Sequence, residues 1–369
     1  MFQDFVAKQL GAQAFVTNPE DHRTDLFHAS LESSKALFGF ANKTRNKAGD
    51  AFKLHVGFIE DQRPNALADV WQCEHFIGMH SSLFVSVNEF AMFCFAQAEF
   101  FPDVGTASAE TSPKPWNARV PGLWLLDHTI QGGRVEQEHS ERLIPKESDR
   151  FIMSQYLAML MARFTWLHEL SHCFNGHVAY ARRHNLAMRL YELADGMNAM
   201  SVRKRKVSAE DRETLKCLEF DADQSALWAG FNIQFGNMEN LDGITALEPA
   251  LRLRMTLFGA YAMIWLIDEY QSYLDAQEGD THPPPSLRLQ NLLRTTKQRI
   301  LPIGDQLSAL HGDVLHQFDT IRAAVPSMYS SAEFTDIQSD ARMAELIAFD
   351  RRSADVKAQL RDFEFSERY

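Results

Sequence analysis

The sequence predicts an α+β fold that is mainly α-helical: a small β layer, then one long buried helix, then a helical C-terminal half. Three observations carry this prediction. Short alternating apolar runs are confined to the region before residue 130. The stretch 148–174 is apolar nearly all round, the pattern of a helix enclosed by other elements. From residue 209 onward, apolar residues recur at helical rather than strand spacing.

Before residue 50 only a helix around 31–40 can be assigned. The alternating run 53–59 reads as a strand, and 61–65, with Pro64, as a turn. Residues 67–72 and 74–79 read as two short strands, or one bent one, closed by Gly78. An apolar helix follows over 81–98, with Ser81 or Ser82 as its N-cap. The Pro-, Gly-, Ser- and Thr-rich stretch 101–117 is a loop, and 122–128 returns to strand character. Ser148 is a good N-cap for the central helix, with Asp149 in its first turn. Asn175-Gly176 is a helix stop, after which 178–183 resumes helix. Residues 185–208 are mixed. A helix over 209–233 starts at Ser208 with an acidic first turn, 236–243 is a turn, and 248–276 is a long apolar helix with Pro249 in its first turn. Residues 281–288, with three consecutive prolines, read as a stiff extended segment leading into another helix. The tail from 303 is amphipathic and helical, interrupted near Pro326. The chain thus divides into 1–147, 148–302 and 303–369, without internal repeats.

With 369 residues, 45% of them hydrophobic, the chain can bury a sizeable core in one large domain or two. A net charge of −12 argues against nucleic acid or an anionic membrane as the main partner. The basic run Arg203 to Lys206 reads as a solvated loop or helix end. Cys73, Cys94, Cys173 and Cys217 show no paired spacing and read as reduced thiols. No signal peptide is expected. The most apolar stretch, 257–267, is too short for a membrane span. A soluble, cytoplasmic protein is the expectation.

Within the central helix lies His168-Glu169-Leu-Ser-His172. Residues four apart share a helix face, so both imidazoles can reach one metal ion. Glu169 lies one step round, where a carboxylate can take a proton from an attacking water. The plainer reading is a core helix with two hydrogen-bonded histidines. A catalytic zinc needs a third protein ligand, and the candidates are His177, Glu219, Asp221 and Asp223. His177 comes five residues after His172, not the six of the metzincin pattern. It therefore reads as a helix-end contact or a partner behind the ligands. Glu219 completes a two-His-plus-Glu set. Asp223, one turn on, can accept the second N–H of a ligand histidine. The plainer reading has these acids on a solvated face, against which stand Phe220, Ala222, Ala226 and Leu227 between and beside them.

The segment His168-Glu-Leu-Ser-His172-x-x-Asn-Gly176-His177, followed by Glu219-x-x-Ala-Asp223, resembles the gluzincin metallopeptidases. It is similar to the HtpX and CAAX-prenyl-protease type and the ImmA/IrrE type, and most of all to the soluble Lit-type phage-exclusion peptidases. The resemblance covers residues 168–223. It implies a zincin-like fold, Zn2+ held by His168, His172 and Glu219, Glu169 as general base, and Asp223 orienting a ligand. It also implies a bacterial regulatory or phage-defence protease acting on a protein or peptide substrate. In zinc peptidases an exposed edge strand can hold the substrate backbone. His282-Pro with Arg288 resembles a His-Pro…Arg stretch of several such peptidases, where His282 would stabilise the oxyanion or bind the substrate carbonyl. The other reading of this stretch is a surface turn, with Arg288 paired to an acid. The expected function is a zinc-dependent endopeptidase. The alternatives are a non-catalytic metal-binding sensor or interaction protein, kept open by Cys173 and Cys217 near the ligands in sequence, and a hydrolase of small amides.

Overall fold

The computed structural model describes residues 1–18, 20, 25–47, 49–114, 121–124, 143–186, 190–191, 208–236, 247–273, 283, 285–299, 304–325 and 340–365. The alternating runs of the first half form strands: β1 (Gln13–Phe15), β2 (Leu54–Glu60), β3 (Ala66–Trp71) and β4 (Glu74–His80), joined by the two-residue β5 (Leu190–Tyr191). Their order in the sheet is β1-β2-β4-β3-β5. The central pair β2 and β4 is parallel, and every other pairing is antiparallel. Alternation divides the side chains between two faces. Phe58, Ile77 and Met79 enter the main core, whereas Ile59, Leu67 and Phe76 join Phe5 and Val6 in a smaller cluster beneath the sheet. The N-terminal helix α1 (Phe2–Phe5) covers that lower face. Gly57 and Gly78 are registered opposite each other, and a Cβ on Gly57 would lie 2.6 Å from the Phe2 ring. Gly78 therefore does not close a strand; it sits within β4, where a Cβ would lie 2.6 Å from the Ile59 side chain.

The remaining helices are α2 (Asp25–Glu32), α3 (Lys35–Ala41), α4 (Ser81–Ala96), α5 (Ser148–Phe174), α6 (His177–Arg183), α7 (Ala209–Phe235), α8 (Pro249–Tyr273), α9 (Pro285–Arg299), α10 (Gly304–Ala324) and α11 (Asp340–Leu360). The fold is mainly helical with a small mixed sheet. The central helix α5 packs most extensively on α7, then on α4 and α8, and lies against β3 and β4. One contiguous core runs from Phe38 to Leu360 and draws on all three stretches of chain. Helix α8 is apolar and long enough, over Pro249–Ile267, to cross a membrane by length and composition, but 78% of that window is buried against the rest of the chain. The four cysteines are free thiols.

Several sequence expectations are corrected. The helix expected around 31–40 is two helices, broken at Ser33 and Ser34. Ser33 Oγ donates to the Ser30 carbonyl at 2.7 Å, capping the first from within. The N-cap of α4 is His80 rather than Ser81 or Ser82. The N-cap of α5 is Glu147, whose carboxylate accepts the Arg150 N–H at 2.9 Å; Ser148 is the first helical residue. The strand expected over 122–128 does not begin as one. Gly122, at φ +97°, lies in a turn and Trp124 starts a helical turn. Both donate their backbone N–H to Glu89 Oε1, at 2.9 and 3.1 Å. A carboxylate on α4 takes the hydrogen bonds a neighbouring strand would have taken. Residues 125–128 lie outside the described residues. The extended segment expected over 281–288 ends early, because Pro285 opens α9 and places Arg288 in its first turn. The basic run at 203–206, the turn over 237–243 and the interruption after Pro326 also lie outside the described residues.

Candidate metal centre

Helices α5 and α7 cross where their polar residues meet, and that crossing makes the site. On α5 the i,i+4 pair sets the His168 and His172 Nε2 atoms 2.9 Å apart. On α7, Glu219 directs its carboxylate between them, 3.2 Å from His168 Nε2 and 3.5 Å from His172 Nε2. These three residues form a buried group whose ligand atoms all converge, and they could hold a metal ion. A tetrahedral ion with bonds of about 2.0–2.1 Å separates its ligand atoms by roughly 3.3 Å, so the spacing fits. The chemistry of the set fits as well. Asp223 Oδ1 lies 3.0 Å from His168 Nδ1 and, being an acceptor only, requires the proton to sit on that nitrogen, which donates to it. That leaves the His168 Nε2 lone pair facing the other two acceptors, an arrangement that a cation between them stabilises.

Asp223 sits one turn beyond Glu219, on the same face of α7. Its charge is balanced by Arg288 of α9, which donates through Nε at 2.8 Å and Nη2 at 2.7 Å. The fork-shaped guanidinium fixes the carboxylate, and the carboxylate fixes the His168 ring. Arg288 thus pairs with an acid, as one sequence reading had it. His282, which the resemblance put at the site, lies outside the described residues.

The break after α5 supplies the next component. Asn175 ends the helix and Gly176 takes the left-handed conformation at φ +81°. A Cβ at Gly176 would lie 2.5 Å from Phe363 Cβ, so the position needs glycine twice over. The reversal brings His177 against the far side of His172, with the two Nδ1 atoms 3.0 Å apart. His177 is therefore not in the converging group but stands behind it. Its Nε2 lies 3.1 Å from Asp221 Oδ2, which also accepts from Asn175 Nδ2 at 2.9 Å. Lys357, on α11, pairs with Asp221 Oδ1 at 2.8 Å. Asp221 is accordingly a partner of His177, not a ligand. No local signal marks Lys357 in the sequence, since it is 136 positions from Asp221 in a tail without motifs.

Glu169 is 1% exposed, as is His168; His172 is 2% and Glu219 4% exposed. At this depth charges interact more strongly than at the surface. Cys173 and Cys217 do not join the group. Burial pushes both thiols up, with the Glu169 and Asp69 charges adding to the effect at Cys173. Among the described residues the sheet's edges are β1 and β5, and β5 pairs with Leu67 and Ala68 of β3, the strand that packs most closely on α5. Compared with models of known families, with curated proteins and with solved structures, the chain matches none, so this centre is interpreted from its own geometry.

Proposed function

We propose that the protein is a zinc-dependent endopeptidase of gluzincin type. The observation that carries this reading is the convergence of His168 Nε2, His172 Nε2 and the Glu219 carboxylate, with Glu169 buried next to the first ligand on the same helix. Two imidazole nitrogens and one carboxylate are a ligand set of catalytic zinc, which leaves a further position for water or substrate. When bound, zinc would polarise the scissile carbonyl and lower the pKa of the attacking water.

The chain's own residues do the rest. Glu169 takes the proton from the attacking water and later delivers it to the leaving amine. His168 is held in the tautomer that presents Nε2 by Asp223, itself fixed by Arg288. The apolar residues packed around α5 keep bulk water away and strengthen these interactions.

The test is Glu169→Gln, which keeps size and removes the base. The variant should bind zinc at the wild-type stoichiometry, while peptide-bond cleavage falls by roughly 10²–10⁴-fold. Cleavage products are read by mass spectrometry of cells expressing either form. Identical product sets from both would remove Glu169 from the mechanism. The depth of the group favours a second reading, a metal-binding sensor without turnover. Zinc binding combined with an absence of any wild-type-specific product would select it.

A further inference from the structure

The two histidines of the centre are oriented by different means. His168 donates a hydrogen bond from Nδ1–H directly to Asp223. His172 meets another imidazole, at 3.0 Å between the Nδ1 atoms. Only one of those nitrogens carries a proton when both rings are neutral, and the direction decides whether His172 can be a ligand. Asp221 decides it. A carboxylate accepts and does not donate, so the His177 Nε2 atom 3.1 Å away carries a proton. The His177 Nδ1 atom is then bare and accepts. His172 therefore donates from Nδ1, and its Nε2 lone pair points at His168 and Glu219. The opposite direction would put a proton on His172 Nε2, inside the ligand group.

We propose that His177 and Asp221 form a tautomer-setting relay for His172, and that Lys357 of α11 holds the outer end of the relay. This rests on the metal reading above and extends it to residues that touch neither metal nor substrate; they are positioning residues. Each ligand histidine then has its own aspartate on α7, and each aspartate its own cation. Asp223 is held by Arg288 from α9 and Asp221 by Lys357 from α11. Asp221 and Lys357 also line a cleft of about 320 Å3 between α7, α9 and α11, so the relay runs from the buried centre to the molecular surface. The C-terminal helix is thereby linked to metal affinity.

The experiment is a zinc titration against a chromophoric chelator, on the full chain, of wild type, His177→Phe, His177→Asn and Lys357→Met. His177→Phe removes the acceptor and should weaken zinc binding roughly 10- to 100-fold, the usual cost of losing a partner behind a metal ligand. His177→Asn places a side-chain oxygen where Nδ1 stood and should restore most of that affinity, which a space-filling role would not do. Lys357→Met changes a residue 34% exposed, so the fold is retained, and binding should weaken by less than in His177→Phe. Ring-nitrogen spectra of the zinc-loaded wild type should show His172 protonated on Nδ1 and His177 on Nε2. Unchanged affinity in both His177→Phe and Lys357→Met overturns the relay, as does a His177 proton found on Nδ1. Wild type that takes up no zinc overturns the relay and the metal reading together; tight wild-type binding with unaffected variants overturns the relay alone.

Discussion

Helix α5 carries a buried polar centre near each end, and the two solve the same problem in opposite ways. Near the N-terminus, Arg150 is fully buried. Its Nε donates to the Phe95 carbonyl at 2.9 Å, Nη1 to Phe101 and Val104 at 3.0 and 2.9 Å, and Nη2 to Gln97 and Phe100 at 2.8 and 2.7 Å. A guanidinium has five N–H donors, and here all five are used. The charge is met by backbone carbonyls at the end of α4 and the loop after it, with the Glu110 carboxylate 3.9 Å from Nε. Near the C-terminus, His168, His172 and Glu219 bring acceptors together instead. The first centre is complete as protein alone; the second is an arrangement that a cation completes. Burial of polar groups therefore does not by itself mark a functional site. What separates the two centres is the sign of the groups that converge.

The largest effect is expected at the self-contained centre. Arg150→Met should destabilise the fold by about 5 kcal/mol, because it strands several buried carbonyls at once. Lysine should not rescue it, having three donors in a different geometry. Urea unfolding should give the same loss with zinc or with chelator present. A loss that depends on zinc would break the contrast between the centres. At the second centre the dependence is reversed. Zinc in about thousandfold excess over its Kd should stabilise the wild type by about 4 kcal/mol. His168→Ala should show none of that gain in thermal unfolding with and without zinc. Equal gains in both proteins would place the ion elsewhere.

The sequence made the inner half of this centre legible and left the outer half dark, for a physical reason. His168, Glu169 and His172 follow helical spacing, and Glu219 with Asp223 repeats that spacing on a second helix, so each set shares a face before any fold is known. The link from His177 to Asp221 depends on how far the chain turns at Gly176, and the link to Lys357 on where α11 packs. Neither is a local property. The same divide governs the fold. Strands β2, β3 and β4 were readable because alternation is set by the strand itself. Residues 122–124, expected to begin a strand, do not, because a carboxylate from α4, Glu89, takes the N–H groups of Gly122 and Trp124. The helix starts one residue before the expected position because the side chain of Glu147, not that of Ser148, accepts a first-turn N–H, that of the buried Arg150.

A third buried group extends the contrast to a polar side chain held largely among aromatic rings. His75, on β4, lies flat on Phe52 with ring centroids 4.4 Å apart, and meets the edge of Phe365 at 5.2 Å. Its Nδ1 has no hydrogen-bond partner, and burial pulls its pKa from 6.5 to about 4. The folded protein thus keeps His75 neutral down to about pH 4, whereas the unfolded chain takes up the proton near pH 6.5. Between those values the unfolded state binds more protons, so the stability contribution is complete above pH 6.5 and is lost as pH falls towards 4. The full loss is about 3 kcal/mol. His75→Phe keeps an aromatic ring and removes the titration. The stability difference between wild type and variant, from urea midpoints at each pH, should therefore shift towards the variant by that amount between pH 7 and 4. Groups common to both proteins contribute equally and cancel. Parallel curves would mean that His75 gains protons equally well folded and unfolded. The effect has a structural address, because Phe365 also donates its backbone N–H to the Phe174 carbonyl at the end of α5. Charging His75 would press on the same C-terminal segment that closes over Gly176, so acid should loosen that segment at the metal end of α5 while leaving the Arg150 end unchanged.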